Sequence, residues 1–341
     1  MEIKKILIIR FSSIGDIVLT SPVIRCLKKQ LPDIQVHFCT KAEYTCLVEH
    51  NPYIDRLHLL GDSLSKLKAQ LKKEKFDFVV DLHHNLRSAL IKWSLNAKSH
   101  SYSKLTLQRQ LLAILPMPMP KPHHVVDRYM ETVHELGVRN DDEGLDFFIA
   151  DKDVVELEWL PESHRQGYVA FAIGGTAFTK KLPLEKMIAL CDKINWPVIL
   201  LGGKEDFDNG EKIVTFFEPS KLSQPYEAGL KAMHKHTRVF NGCGKFNLGQ
   251  SASILKQAEA VFSHDTGLAH IAAAFKKHIF SIFGGTVPLY FYPYGTRFTL
   301  LENNKLTCRP CSKNGRDSCP LKHFKCMKEN PLDFYLPEFE G

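Results

Sequence analysis

Two short apolar runs, each followed by a turn of small residues and then by a helical pattern, constrain the fold of this chain most strongly. The first run is Lys5 to Ile9, and the helical pattern after it covers Asp16 to Gln30. The second run is Tyr168 to Ile173, and its helical pattern covers Pro183 to Lys193. Uninterrupted apolar runs of this length are typical of strands buried on both faces of a parallel sheet.

The same alternation continues in both halves of the chain, which predicts an α/β protein with two Rossmann-like domains. Further strands are predicted at Gln35–Cys39, Phe76–Leu82, Trp196–Leu201, Ala260–Ser263 and His278–Phe283. We place the first domain at residues 1–160 and the second at 161–341, with the last helix packing back on the first domain as an option. Because ligands bind at the carboxyl ends of parallel strands, the chemistry is expected in the turns that follow them.

Size and charge narrow the class of protein. The chain has 341 residues, of which 44% are hydrophobic, which is enough for two separate cores. Its formal net charge of +7 suits an anionic partner, although a solvated basic surface explains it equally well. Neither a secretory signal nor an apolar run of membrane-spanning length is present, so we expect a cytoplasmic protein. A dehydrogenase is disfavoured, because no G-x-G-x-x-G follows either first strand.

The first turn carries an acid at the start of a helix. It reads RFSSIGD from Arg10 to Asp16. An Asp at this position commonly caps a helix. A carboxylate at the ligand-binding end of a sheet can also take a proton from a substrate hydroxyl, so both roles stay open for Asp16.

Two turns of the second half have features of anion sites. The turn GGTAFTKKLP, from Gly174 to Pro183, combines glycines with lysines, although it is not a Walker A loop and solvated lysines are the alternative. In the sequence SHDTGLAHIAAA, Asp265 and Thr266 are placed to cap a helix whose amides begin at Gly267. His270 lies one turn further on, where a packed core histidine is the commoner role.

Four of the nine cysteines lie close together near the C-terminus, in the pattern C-x2-C-x7-C-x6-C. Four thiolates can hold a structural zinc ion tetrahedrally. Free, packed thiols are the alternative, because the spacing is looser than that of paired C-x-x-C motifs. The four residues are Cys308, Cys311, Cys319 and Cys326.

Four segments together resemble glycosyltransferase family 9, the heptosyltransferase family. In chain order they are the opening KILIIRFSSIGDIVLTSPVIRCLKKQLPDIQVHF, then DLHHNLRSALI, AIGGTAFTKKLPLEKM and SHDTGLAHIAAAFKKHIFSIFGGTVPLYFYPYG. The resemblance implies a GT-B fold, in which two Rossmann-like domains with parallel sheets face a central cleft. It implies that the N-terminal domain binds the acceptor and the C-terminal domain binds the nucleotide sugar. It also implies inversion of the anomeric configuration without a metal.

The resemblance assigns roles by position in the motifs. It makes Asp16 the general base and places Ser13 and Arg87 on the acceptor side. It makes Lys180 the diphosphate lysine, with Lys181 as its rival. The other donor-binding positions that it implies are Gly175, Thr176, Asp265, Thr266, Gly267, His270 and one of the pair Glu205 and Asp206. Two departures concern substrate identity: Leu182 stands where the family often has Trp, and His83-His84 where Gln-Gly is common.

The expected reaction is transfer of a sugar from a nucleotide-diphosphate donor, ADP-heptose above all, to a lipopolysaccharide core or related envelope glycolipid. No cofactor is expected for catalysis, and a structural zinc ion is the one metal considered. The expected partners are the donor, an anionic glycolipid acceptor and the inner membrane as a peripheral contact, with no nucleic acid. The alternatives are another nucleotide-sugar donor and a catalytically silent nucleotide-sugar-binding protein.

Overall fold

The computed structural model describes residues 3–105, 123–218 and 237–336, and the chain forms two compact units. The first unit comprises residues 3–105, 123–150 and Leu289–Gly295, and the second comprises residues 151–218, 237–288 and 296–336. Each unit contains one sheet of parallel strands. The proline-rich segment at 116–122 lies outside the described residues.

The first unit has a five-stranded sheet in the order β3-β2-β1-β4-β5. Its strands are β1 (Lys5–Ile9), β2 (Gln35–Lys41), β3 (Arg56–Leu60), β4 (Phe78–Asp81) and β5 (Lys98–Ser101). Its helices are α1 (Ile14–Val18), α2 (Ser21–Gln30), α3 (Leu64–Glu74), α4 (Leu86–Leu95) and α5 (Val125–Met130), the last continuing as a 3₁₀ turn over Glu131–Leu136.

The centre of this sheet is the strand that the sequence marks most clearly. Residues 6–9 of β1 are fully buried, and β1 pairs in parallel with β2 on one side and β4 on the other. The chain runs outward from β1 to β3 and then restarts at β4, so the strand order reverses between β1 and β4. Ligands of open parallel sheets bind at such a reversal.

The helical pattern from Asp16 to Gln30 forms two helices instead of one. Pro22 lies in the first turn of α2, and its missing N–H cannot continue a helix that arrives from α1. The hydroxyl of Thr20 donates to the carbonyl of Ile17 at 2.7 Å, and that of Ser21 donates to Val18 at 2.8 Å. These bonds satisfy carbonyls at the end of α1, so Asp16 belongs to a short helix of its own.

Segment Leu289–Gly295 belongs to the first unit although it lies late in the sequence. The ring of Tyr294 stacks on His124, with centroids 4.7 Å apart, and its hydroxyl donates to Asp127 at 3.1 Å. Asn140 donates to the same hydroxyl at 2.8 Å. These contacts attach the segment to residues around α5.

The second unit has a six-stranded sheet in the order β11-β10-β9-β6-β7-β8. Its strands are β6 (Val169–Ala172), β7 (Pro197–Leu201), β8 (Arg238–Asn241), β9 (Ala260–His264), β10 (Ile279–Phe283) and β11 (Phe298–Glu302). Its helices are α6 (Leu184–Ile194), α7 (Phe207–Phe216), α8 (Leu248–Gln257), α9 (Gly267–Ala274) and α10 (Lys325–Lys328).

This sheet repeats the arrangement of the first. Strands β6 and β9 are neighbours, with Ala172 opposite Ser263, and the strand order reverses between them. Phe262 and Phe280 stack in the core with ring centroids 4.4 Å apart. None of the helices in the described ranges combines the length and the apolarity that a bilayer span requires.

Candidate functional site

The first candidate site lies at the β1–β4 reversal, in the turn after β1. Asp16 Oδ2 accepts a hydrogen bond from the Ser13 hydroxyl at 2.9 Å and lies 3.4 Å from the Ser13 amide nitrogen. Arg10 Nη2 lies 2.6 Å from the same oxygen. Asp16 therefore has the helix-capping position that its sequence context suggests and is also one member of an ion pair.

Arg10 is the residue that holds this turn together. Its Nε donates to the carbonyl of Ser12 at 2.6 Å, and its Nη1 donates to the carbonyl of Leu82 at 2.5 Å. Burial opposes its charge, but the electrostatic effects of Tyr129 and Asp16 raise the pKa of Arg10 overall. The sequence motif contained Arg10 without indicating this role. The turn after β1 is thereby fixed to the turn after β4.

His83 lies beside this turn, at the end of β4. Its ring contacts Phe11 edge-on, with centroids 4.9 Å apart, and its Nδ1 has no hydrogen-bond partner among the described residues. Burial, followed by the charge of Arg10, lowers the pKa of His83 to about 4. The imidazole is therefore neutral at pH 7, and its unpaired Nδ1 is buried.

Asp81, at the end of β4, shapes the turn that carries His83. Its Oδ1 accepts from the backbone amides of His83 at 3.1 Å and His84 at 2.7 Å, while Lys92 lies 3.0 Å from Oδ2. Burial would raise its pKa, but the amide of His84 and the charge of Lys92 lower the pKa of Asp81 overall. The two histidines that depart from the family pattern thus occupy a well-defined turn.

Two further buried polar side chains, on α5, were not indicated by the sequence patterns. Arg128 donates to the carbonyl of Ser103 at 2.6 Å, while its Nε and Nη2 have no hydrogen-bond partner among the described residues. Burial lowers the pKa of Arg128. Tyr129 is fully buried, and its ring lies 5.9 Å from the Arg10 guanidinium carbon. Both residues lie on α5, outside any strand-end turn, and a prediction based on strand-end motifs therefore does not find them.

Arg87 and Ser13, the residues expected on the acceptor side, are both exposed. Ser13 lies in the turn with Asp16, as described above. Arg87 lies in the first turn of α4, which begins after the β4 turn. Both therefore belong to the carboxyl edge of the first sheet, and their roles stay predictions.

The second candidate site lies at the β6–β9 reversal, where the lysine loop meets the start of α9. Lys180 Nζ lies 2.8 Å from Asp265 Oδ2, and the Thr286 hydroxyl donates to the same oxygen at 3.1 Å. Both charged side chains are largely but not fully buried, with 14% and 17% of their surfaces exposed. The structure thus brings together Lys180 and Asp265, which the sequence placed in separate motifs.

Lys181 makes a different ion pair. Its Nζ lies 3.4 Å from Asp206 Oδ1, and Asp206 also accepts from the amide of Gly203 at 3.1 Å. A Cβ atom on Gly174 would lie 2.9 Å from Asp206 Oδ2, so this glycine permits the close approach of the loop to the acid. Asp206 is only 2% exposed, whereas Glu205 is exposed to solvent. Of the two acids, Glu205 is the accessible one.

His264 is a buried positioning residue that the sequence analysis did not single out. Its Nε2 accepts from the amide of Leu182 at 3.0 Å, and its Nδ1 lies 3.0 Å from the carbonyl oxygen of Ile173. Nδ1 therefore carries the proton and donates it to that carbonyl. Burial lowers the pKa of His264 to about 4, so the ring stays neutral and joins both ends of the lysine loop to β9.

The remaining donor-side candidates surround this loop and the start of α9. Thr176 is exposed, and Gly175 is so close to Lys181 that an added Cβ would lie 3.0 Å from its Cγ. Thr266 precedes α9, and its hydroxyl lies 3.3 Å from that of Ser263. Gly267 opens the helix and is half-buried. The positive end of α9 therefore lies beside the Lys180–Asp265 pair.

His270 is buried on α9, with 4% of its surface exposed. This position agrees with the packed-core alternative that the sequence left open, and a donor-contacting role for His270 stays a prediction.

The C-terminal cysteines lie around one cavity, together with His323. Within the described ranges, no three His, Cys, Asp or Glu side chains are already arranged to hold a metal ion. The predicted zinc site is therefore not preformed.

Comparison with known proteins gives the family. The model of "Glycosyltransferase family 9 (heptosyltransferase)" matches residues 64–323. Lipopolysaccharide heptosyltransferase 1 of Campylobacter coli is 23% identical over 304 residues, covering 83% of this chain and 84% of the relative. The protein of the same name from Pseudomonas aeruginosa is 23% identical over 356 residues, covering 97% and 93%.

Solved structures agree with the predicted fold. A family 9 glycosyl transferase from Veillonella parvula has a TM-score of 0.70 at 22% identity, covering 89% of this chain and 88% of that one. The ADP-heptose lipopolysaccharide heptosyltransferase II of Escherichia coli has a TM-score of 0.67 at 16% identity, covering 96% and 98%. The predicted α/β class and GT-B fold are confirmed. With its family model matched over most of its length, this chain belongs to glycosyltransferase family 9, the heptosyltransferase family.

Proposed function

We propose that this glycosyltransferase moves heptose from ADP-heptose to a lipopolysaccharide core acceptor, with inversion at the anomeric carbon and without a metal. The observation that carries the proposal is the pair of strand-order reversals, one with Asp16 and the other with Lys180 and the start of α9. The donor is suggested by a structural relative, the E. coli heptosyltransferase WaaC, which was solved with ADP and with ADP-2-deoxy-2-fluoro heptose.

On the acceptor side, Asp16 acts as the general base. Its carboxylate is fixed by Arg10 and Ser13 and is 24% exposed, so it stays accessible to a hydroxyl. As the hydroxyl oxygen bonds to the anomeric carbon, its proton passes to Asp16, and the bond from that carbon to the diphosphate breaks. A single displacement from the face opposite the nucleotide inverts the configuration.

On the donor side, Lys180 and the amides at the start of α9 stabilise the departing diphosphate. A lysine ammonium and a helix N-terminus both favour anions, and together they offset charge that a metal would otherwise neutralise. Asp265 Oδ2 lies 2.8 Å from Lys180 Nζ and holds this side chain in place. Lys180 is preorganised by this contact, so little reorganisation is needed when the donor arrives.

For the donor ribose we favour Glu205 over Asp206. The carboxylate of Asp206 is buried and accepts from the Gly203 amide, and it also pairs with Lys181. Replacing these contacts with a ribose hydroxyl would leave a buried charge without its partners. Glu205 is exposed in the same turn and carries no such cost.

We also propose that the enzyme works on the cytoplasmic face of the inner membrane and contacts the lipid surface through α4. Three apolar side chains of α4 are exposed: Leu86 at 77%, Leu90 at 39% and Trp93 at 82%. The neighbouring helix α3 exposes Lys66, Lys72 and Lys73. An apolar face with an exposed tryptophan beside lysines is typical of helices that lie in an anionic interface.

The function is tested by measuring ADP-heptose turnover with an Asp16→Asn variant. The amide preserves size but cannot accept the proton, so we expect kcat to fall about 10²- to 10⁴-fold with ADP affinity unchanged. Asp62→Asn, at an exposed loop acid of the same unit, is the matched control and should turn over normally. Normal turnover by Asp16→Asn would show that Asp16 is not the base. Wild-type protein that binds ADP but transfers no sugar would favour a silent binding protein.

A further inference from the structure

Four cysteines meet around one cavity near the C-terminus. The cavity has a volume of about 210 Å³ and is lined by Cys308, Cys311, Cys319, Cys326 and His323. Cys319 Sγ accepts a hydrogen bond from the amide of Phe324 at 3.4 Å. Amide-to-sulfur bonds of this kind stabilise the thiolate that a metal requires.

The segment that supplies three of these cysteines has little regular structure. Residues 303–324, between β11 and α10, contain no strand or helix. Connections of this length without secondary structure are uncommon in compact domains and are usually functional. A metal that joins three points of this segment to Cys326 on α10 would supply order that hydrogen-bonded elements do not.

His323 is better placed to support a thiolate than to bind the metal itself. Its Nδ1 accepts from the amide of Lys325 at 3.0 Å, so in the neutral ring the proton lies on Nε2. Nε2 lies 4.0 Å from Cys308 Sγ, at the outer limit of a hydrogen bond to sulfur. The four cysteines therefore form the ligand set, and His323 lies outside it.

Charge around the cavity favours a site that carries excess negative charge. Four thiolates around a divalent ion have a net charge of −2, and two arginines, Arg309 and Arg316, also line the cavity. Arg316 Nε donates to the carbonyl of Cys311 at 2.9 Å. Because the four thiols are not yet arranged around a single point, an ion would draw their side chains inward.

The cysteine segment is also hydrogen-bonded to the lysine loop. The amide of Thr179 donates to the carbonyl of Arg316 at 3.0 Å, and the amide of Arg316 donates to the Thr179 hydroxyl at 2.7 Å. Gly285 donates to the carbonyl of Thr179, and Cys311 donates to the carbonyl of Gly285, both at 3.0 Å. Thr179 immediately precedes Lys180. An ordered cysteine segment therefore also fixes the position of the diphosphate lysine.

We propose that the four cysteines bind one zinc or iron ion, and that this metal site fixes the position of the loop that carries Lys180. Both ions accept four thiolates in a tetrahedron, and the metal takes no part in the transfer reaction. The effect on the donor rests on the function proposed above, whereas the metal site itself does not.

The first measurement is the metal content of full-length protein purified without added metal. We expect about one zinc or iron ion per chain, and the elemental analysis distinguishes the two. Reduced protein stripped of metal should take up Co²⁺ and develop the thiolate-to-metal absorption of a tetrahedral sulfur site. Cys311→Ser and Cys319→Ser should lose both signals, while Cys46→Ser, at an exposed cysteine of the first unit, should keep them.

Because a cysteine variant can fail to fold, the control experiment removes the ion from the wild-type protein. A chelator should expose four more thiols to a thiol reagent and weaken ADP binding, and restoring the ion should reverse both changes. Wild-type protein that neither contains metal nor takes up Co²⁺ would overturn the proposal, as would a disulfide among the four cysteines. If metal bound but its removal left ADP affinity unchanged, the metal site would stand and its effect on the Lys180 loop would be overturned.

Discussion

At the scale of single residues, Lys180 and Lys181 are neighbours with different surroundings. Lys180 pairs with Asp265 at the start of α9, whereas Lys181 pairs with the buried Asp206. We therefore expect Lys180→Ala to lower kcat about 10²- to 10³-fold, the usual loss for one stabilising donor, with a smaller effect for Lys181→Ala. Steady-state kinetics with both variants and calorimetry with ADP test this order. A larger loss for Lys181→Ala would reverse the assignment.

His264 makes the stability of the second unit depend on pH. Burial lowers its pKa from 6.5 to about 4, so between these values the unfolded chain binds a proton that the folded protein does not. The contribution of neutral His264 to the free energy of unfolding should therefore be fully present above pH 6.5. It should be lost as the pH falls towards 4, which lowers the free energy of unfolding by up to about 3 kcal/mol. In His264→Gln the amide can keep both loop bonds without titrating. Denaturant unfolding at pH 7.5 and 5.0 should show a smaller acid loss in this variant, and an equal loss would contradict the argument.

The sequence indicated candidate residues in strand-end turns, and it missed residues that position those turns through backbone groups. Asp16, Lys180 and Asp265 stand in motifs whose residue types already suggest proton transfer or anion binding. Arg10 and His264 stand in the same motifs, but their roles depend on carbonyls and amides of Leu82 and Leu182 that only the fold brings near. No spacing rule carries that information, because these partners lie in turns that follow other strands.

At the scale of elements, one buried arginine attaches α2 to the stretch 141–146 of the first unit. Arg25 binds both oxygens of Asp141, at 2.6 and 2.8 Å, and also contacts Asp146. The hydrogen bonds from Arg25 outweigh burial and lower the pKa of Asp141 to about 2. Arg25→Met should therefore destabilise the protein by about 3 kcal/mol, because two carboxylates lose their partner.

The matched control for this prediction lies one turn along the same helix. Lys28 pairs with Asp55 at 2.7 Å, but both side chains are about one-third exposed. Lys28→Met should cost less than about 1 kcal/mol, since solvent screens such pairs. Denaturant unfolding at pH 7 compares the two variants. Equal losses would mean that Arg25 contributes no more than an ordinary surface pair.

Among the elements, the central strands were predictable and the edges were not. Strands β1, β6, β7, β9 and β10 are buried on both faces and consist mostly of apolar residues. The edge strand β5 has the sequence KSHS and is largely exposed, so it carries no hydrophobic pattern. The break between α1 and α2 was also missed, because Pro22 lies in a segment whose apolar spacing continues on both sides of it. Periodicity reports burial, and elements with little burial leave little signal.

At the scale of the whole molecule, a net charge of +7 and the apolar face of α4 predict salt-dependent binding to anionic lipid. Counterions screen the attraction of lysines to a charged surface, whereas apolar insertion persists in salt. We therefore expect cosedimentation with vesicles containing anionic phospholipid, weaker binding at high salt, and little binding to neutral vesicles.

The contribution of α4 to membrane binding can be tested by comparing variants of two tryptophans with similar exposure. Trp93 lies on α4 and is 82% exposed, whereas Trp159 lies in the second unit and is 65% exposed. Replacing Trp93 by Ser should reduce binding to anionic vesicles and leave transfer to a short, lipid-free acceptor unchanged. Replacing Trp159 by Ser should change neither. If Trp93→Ser bound vesicles as wild type does while Trp159→Ser did not, the membrane contact would belong to the second unit, because lipid insertion requires the exposed ring itself.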